Sequence, residues 1–110
     1  MNWIVILAGL SGAMAVGAGA FGAHGAIGEA ADWLKTGGQY QLIHAVAALV
    51  AMRLDAKGPA MLFLAGGAIF GVSLYLMAMG LPRWLGAVTP IGGASLIAGW
   101  LWLAWSGARG

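Results

Sequence analysis

The chain has 110 residues, 62 % of them hydrophobic and 7 % charged, with a net charge of +2 and no cysteine. A soluble domain of this size could not hide so much apolar surface, so lipid is the solvent and a single membrane domain is expected. The small, scattered positive charge gives no footprint for nucleic acid, and the missing cysteines exclude disulfides, thiolate metal sites and cysteine nucleophiles.

Four apolar stretches, about 3–22, 39–54, 59–80 and 89–105, predict an all-α integral membrane protein built as a compact bundle of four transmembrane helices. The first lacks the basic start of a signal peptide, so it is read as a span despite Ala18-Gly19-Ala20. It carries two rows of small residues, Ala8, Gly12, Val16, Ala20 and Gly9, Ala13, Gly17, suited to close helix packing. After it, Ile27, Ala31 and Leu34 form an apolar stripe with Glu29, Asp32 and Lys35 largely off it. That pattern predicts a short interfacial helix over about 27–36, stopped by Gly37-Gly38.

The second span is short and holds Gln41 and His44. A re-entrant segment is the alternative; local thinning or a helical extension towards Trp33 would supply the length for crossing. The third span carries Gly67 and Gly71, a GxxxG pair, and the fourth Gly92 and Gly99. Thr89 before Pro90 is read as an N-cap, and Gly58-Pro59 as a weaker start of the same kind.

Tryptophan checks the count. With four crossings, Trp3, Trp102 and Trp105 fall at one interface while Trp33 and Trp84 fall at the other, an aromatic belt on each surface. The face holding both termini carries Arg53, Lys57 and Arg109, against Lys35 and Arg83 opposite, which points the termini to the cytoplasm.

The polar residues inside the spans gather in the half away from the termini. They are His24, then Tyr40, Gln41 and His44, then Ser73 and Tyr75, then Thr89 and Ser95. Such groups are costly in lipid and often mark function. His44, Tyr75 and Ser95 each fall about 7 Å inside a boundary at the helical rise, so one polar layer is expected, with His24 and Gln41 above it. The candidate ligand-binding set is therefore His24, Tyr40, Gln41, His44, Tyr75, Thr89 and Ser95. The plainer reading is that these groups hydrogen-bond across helices and fix their register. Two histidines fall short of a zinc site, and axial haem ligation by His24 and His44 has no further residue behind it. Glu29 or Asp32 could assist a metal, but the set stays weak, and a serine hydrolase is unsupported because no carboxylate lies near either histidine in sequence; no catalytic residue, metal or cofactor is expected.

Several strings here resemble one family. Gly19-Ala20-Phe21-Gly22-Ala23-His24-Gly25, Tyr40-Gln41 with His44-Ala45, Gly71 to Tyr75, Leu85-Gly86 to Gly93 and Gly99-Trp100 resemble the YgdD-like group, domain of unknown function 423, related to transmembrane protein 256. The resemblance runs through nearly the whole chain and departs at Ala87-Val88, where the pattern has a proline. It implies small multi-pass proteins, typically of the bacterial inner membrane, without an established activity.

Three functions are expected, in order. The first is a non-enzymatic membrane protein with a polar pocket for a small ligand or lipid. The second is an accessory subunit or assembly factor whose glycine-rich faces dock on a larger membrane complex or a second copy. The third is a quinone- or haem-linked redox protein.

Overall fold

The structure is a computed structural model describing residues 1–110. It contains α1 (Trp3–His24), α2 (Gly28–Arg53), α3 (Lys57–Ala78) and α4 (Thr89–Ala108), with a 3-10 turn at Arg83–Ala87 before α4. Asn2 caps α1, its Oδ1 accepting from the Val5 N–H at 3.2 Å. Three stretches, α1, α3 and α4 with its preceding turn, are long and apolar enough to cross a membrane. α2 has the length, 26 residues or about 39 Å at the helical rise, but Glu29, Asp32 and Lys35 occupy its first turns.

Each helix packs on its neighbour in sequence. α2 lies along both α1 and α3, α4 lies on α3, and α1 touches α3 only sparsely. Trp3 and Lys57 border one groove and Trp102 abuts Gly58, so both chain ends and the α2–α3 turn share one end of the molecule. At the other end the Arg83 guanidinium pairs with Glu29 and stands 5.5 Å from the centre of the Trp33 ring. The protein is an all-α membrane bundle, with Phe63, Ala48, Ala51 and Ala60 buried at its centre.

Two local expectations are corrected. No separate interfacial helix ends at Gly37-Gly38: α2 runs through the pair without a break, starting at Gly28 rather than near 39. The reason is a close approach on both sides. A Cβ on Gly38 would stand 2.8 Å from the Ala15 carbonyl oxygen of α1, and one on Gly37 would stand 2.7 Å from the Tyr75 ring of α3. Glycine costs a helix about 1 kcal/mol relative to alanine. Between two membrane helices that cost is offset by letting backbones meet.

Thr89 is likewise not an N-cap. Val88 precedes it with helical torsions (φ −81°, ψ −35°) and no side chain caps α4. The 3-10 turn feeds directly into the helix, so the Thr89 hydroxyl sits inside the first turn and is free to reach α3.

The tightest α3–α4 approach is at Gly66 and Gly92, where a Cβ on Gly92 would stand 2.8 Å from the Gly66 carbonyl oxygen and would also strike the Phe70 backbone. The Gly67 row is looser, since a Cβ there would make ordinary contact with His44 at 3.6 Å.

Candidate functional site

The early start of α2 changes the depth of its polar residues. From Trp33 to His44 the helix descends about 16 Å, half of a hydrocarbon core of roughly 30 Å. Thr89 to Trp100 on α4 covers the same distance, and His44 does meet Trp100. Across α3 it faces Gly67, midway along that helix. His44 therefore sits near the middle of the bundle, deeper than its apparent span boundary implied.

The expected polar layer resolves into separate pairs. Tyr75 on α3 donates its hydroxyl to Gln41 Oε1 on α2 at 2.7 Å, and Gln41 Nε2 points at Met14 Sδ of α1 at 3.6 Å. Both Gln41 and Tyr75 are buried. Ser73 on α3 and Thr89 on α4 share a hydrogen bond of 2.6 Å, while the Ser73 hydroxyl also reaches the Phe70 carbonyl at 3.0 Å. With Ser73 donating to that carbonyl, Thr89 is the donor between the two hydroxyls. Ser95 only bonds back to the Ile91 carbonyl of its own helix, at 2.9 Å. His24 ends α1 and is exposed.

His44 is bonded at both ring nitrogens. Nδ1 lies 2.6 Å from the Tyr40 carbonyl oxygen, and Trp100 Nε1 donates to Nε2 at 3.0 Å. A carbonyl only accepts and an indole N–H only donates, so the ring is the neutral tautomer with its proton on Nδ1. Axial metal ligation would cost it Trp100, and no three histidine or carboxylate side chains come together anywhere in the fold.

Around this imidazole the rings form a cluster. Tyr40 stacks parallel to it with centroids 6.3 Å apart, Phe63 lies 5.6 Å away and Trp100 meets it edge-on at 5.8 Å. Phe70 packs on Tyr40 at 4.7 Å. Tyr40, His44, Phe70, Leu96 and Trp100 border an open groove of about 420 Å³ on the outer side of α2 and α4. Sequence reasoning named His44 and Tyr40 but missed Trp100. The available signal was that Trp100 fits neither interfacial belt, and an indole N–H within lipid needs an acceptor.

Comparison with known proteins places the chain in a group. The sequence profile described as "Protein of unknown function (DUF423)" matches residues 18–93. The chain belongs to the DUF423 family. It is 38 % identical to the UPF0382 membrane protein YwdK of Bacillus subtilis, over 92 % of each chain. It is 37 % identical to the UPF0382 inner membrane protein YgdD of Escherichia coli, over 90 % of this chain and 84 % of that one. A UPF0382 membrane protein of Haemophilus influenzae is 36 % identical over 94 % of this chain and 92 % of its own. No solved structure matches this DUF423 chain. The profile covers the end of α1, all of α2 and α3 and the first turn of α4, and so includes Gln41, His44, Ser73 and Tyr75 but not Trp100.

Proposed function

We propose that this DUF423 protein is a non-enzymatic membrane protein that binds a small lipid-soluble molecule in the aromatic groove at His44, the molecule carrying a ring and one hydrogen-bonding group. One observation carries the reading: a buried imidazole at mid-length of the bundle borders an open groove of about 420 Å³ whose other walls are aromatic and aliphatic. Helix register alone could be held by pairs such as Gln41–Tyr75; Tyr75 also borders a groove, of about 540 Å³ between α1 and α3, but without the clustered rings that surround His44. Polar groups at that depth are expensive, and one beside a cavity is a binding-site candidate by default. The ligand would stack on Tyr40 and Phe70 and share or displace the Trp100 N–H.

The test is retention of a co-purifying molecule, read by native mass spectrometry. His44→Gln keeps an acceptor for Trp100, so it should preserve the fold, read by circular dichroism and a monodisperse elution profile, and abolish the bound mass. A variant that keeps the molecule, or that unfolds without it ever having been present in the wild type, leaves His44 a packing residue.

The inner-membrane description of YgdD and the positive charge at the terminal face support a bacterial inner-membrane location with both termini in the cytoplasm. Cysteines introduced at Asn2, Lys57 and Gly110 should label from the cytoplasm, and those at Lys35 and Arg83 from outside. Labelling of Lys57 together with Lys35 would make α2 re-entrant.

A further inference from the structure

A second groove lies on the other side of α2. Because α1 and α3 flank α2 while barely touching each other, a channel of about 520 Å³ remains between them. Its walls are Leu7, Met61, Leu64, Ala65 and Ala68, with Ser11 at the inner end. At the membrane surface its mouth holds Lys57 and Trp3, and a shallower depression there joins the same two residues to Asn2. Lys57 makes no ion pair, although Asp55 lies two positions away in the chain; the protein's one ion pair, Arg83–Glu29, is at the opposite end.

We infer that the α1–α3 groove is a binding site for one anionic phospholipid, with an acyl chain against Leu7, Met61 and Ala68 and the headgroup phosphate on Lys57. The dimensions fit one leaflet. From Lys57 to Ala68 the groove runs about 16 Å at the helical rise, close to half of the roughly 30 Å hydrocarbon core. The chemistry changes along that length as a lipid's does: a cation and an indole at headgroup level, then aliphatic walls. Charge complementarity also favours this occupant over a second copy. A symmetric pair in one membrane would bring two Lys57 ammonium groups to the same level of the contact.

The full chain is purified and exchanged into nanodiscs containing equal amounts of phosphatidylglycerol and phosphatidylcholine with identical acyl chains, then released for native mass spectrometry. The wild type should retain one phosphatidylglycerol at least fivefold over phosphatidylcholine. Lys57→Gln should bring that ratio near one while some lipid is still retained. Ala65→Trp, at an exposed position that projects a ring into the groove, should reduce retention of both lipids at an unchanged melting temperature. Equal retention of the two lipids by the wild type would overturn the inference. So would a Lys57→Gln variant with the full preference, or a dimer mass that Ala65→Trp abolishes, since a second copy would then fill the groove.

Discussion

α1 and α2 lie side by side and are built on opposite logic. α1 buries only Ile4, Ala8, Ala15 and Gly22, and a Cβ on Gly9 or Gly17 would meet nothing within 4 Å. α2 buries nine residues, among them Gly37, Gly38, Gln41 and His44, and is gripped from both sides. Glycine thus has two meanings in one bundle. At Gly38 it is a contact that no other residue could make, whereas at Gly9 and Gly17 it is surface turned to lipid. Polar groups divide the same way: α2, α3 and α4 carry every interhelical bond between nitrogen or oxygen atoms, and α1 contributes only the Met14 sulfur. The polar pairings therefore reside in α2–α4, whereas α1 is held on α2 by close backbone packing, Ala15 against Gly38, and leaves most of its remaining surface exposed.

The largest expected effect breaks the contact side of this comparison. Gly38→Leu drives a branched side chain into the Ala15 carbonyl, and Gly92→Leu drives one into the Phe70 backbone; backbone cannot rotate away as a side chain can. Each should cost about 3 kcal/mol or more, at or beyond the upper end of ordinary overpacking. Gly9→Leu and Gly17→Leu meet open space and gain helix propensity, so they should be neutral or stabilising by a few tenths of a kcal/mol. Thermal melts of the four variants in one detergent separate the classes. If Gly9→Leu or Gly17→Leu melts as low as Gly38→Leu, the open face of α1 is occupied and the division fails.

What the sequence made legible follows the same division. Four helices, their apolar character and the grouping of Trp3 with Trp102 at one end and Trp33 at the other depend on composition and length, which a membrane fixes strongly. Gln41 and His44 were readable as interior because lipid penalises them anywhere else. The start of α2 was not readable, because Gly37-Gly38 stops a helix under rules drawn from water and continues one where Ala15 and Tyr75 close in from either side. That single error set His44 too shallow, which aimed it at Tyr75 and Ser95 instead of Trp100. Partners depend on the relative rotation and depth of two helices, and neither is encoded within one of them. Thr89 was misplaced for a related reason: whether a threonine caps its own helix or bonds Ser73 of another depends on the turn before it.

The smaller prediction sharpens the comparison at the α2–α3 contact. Tyr75→Phe removes the donor to Gln41 Oε1 and leaves a buried carbonyl oxygen with no partner in the protein. Gln41→Leu does the converse to the Tyr75 hydroxyl. In water such an orphaned group costs about 1–3 kcal/mol. Hydrogen bonds between membrane helices average nearer 0.6 kcal/mol, because the separated helices also find partners, so about 1 kcal/mol is expected for each single change. The double variant leaves neither group orphaned, and should cost less than the sum of the singles by about 0.5–1 kcal/mol. Steric unfolding of detergent-solubilised protein measures all three. Strict additivity would mean that the 2.7 Å contact carries no energy of its own and that close glycine packing, with no help from polar pairing, sets the register of α2 on α3.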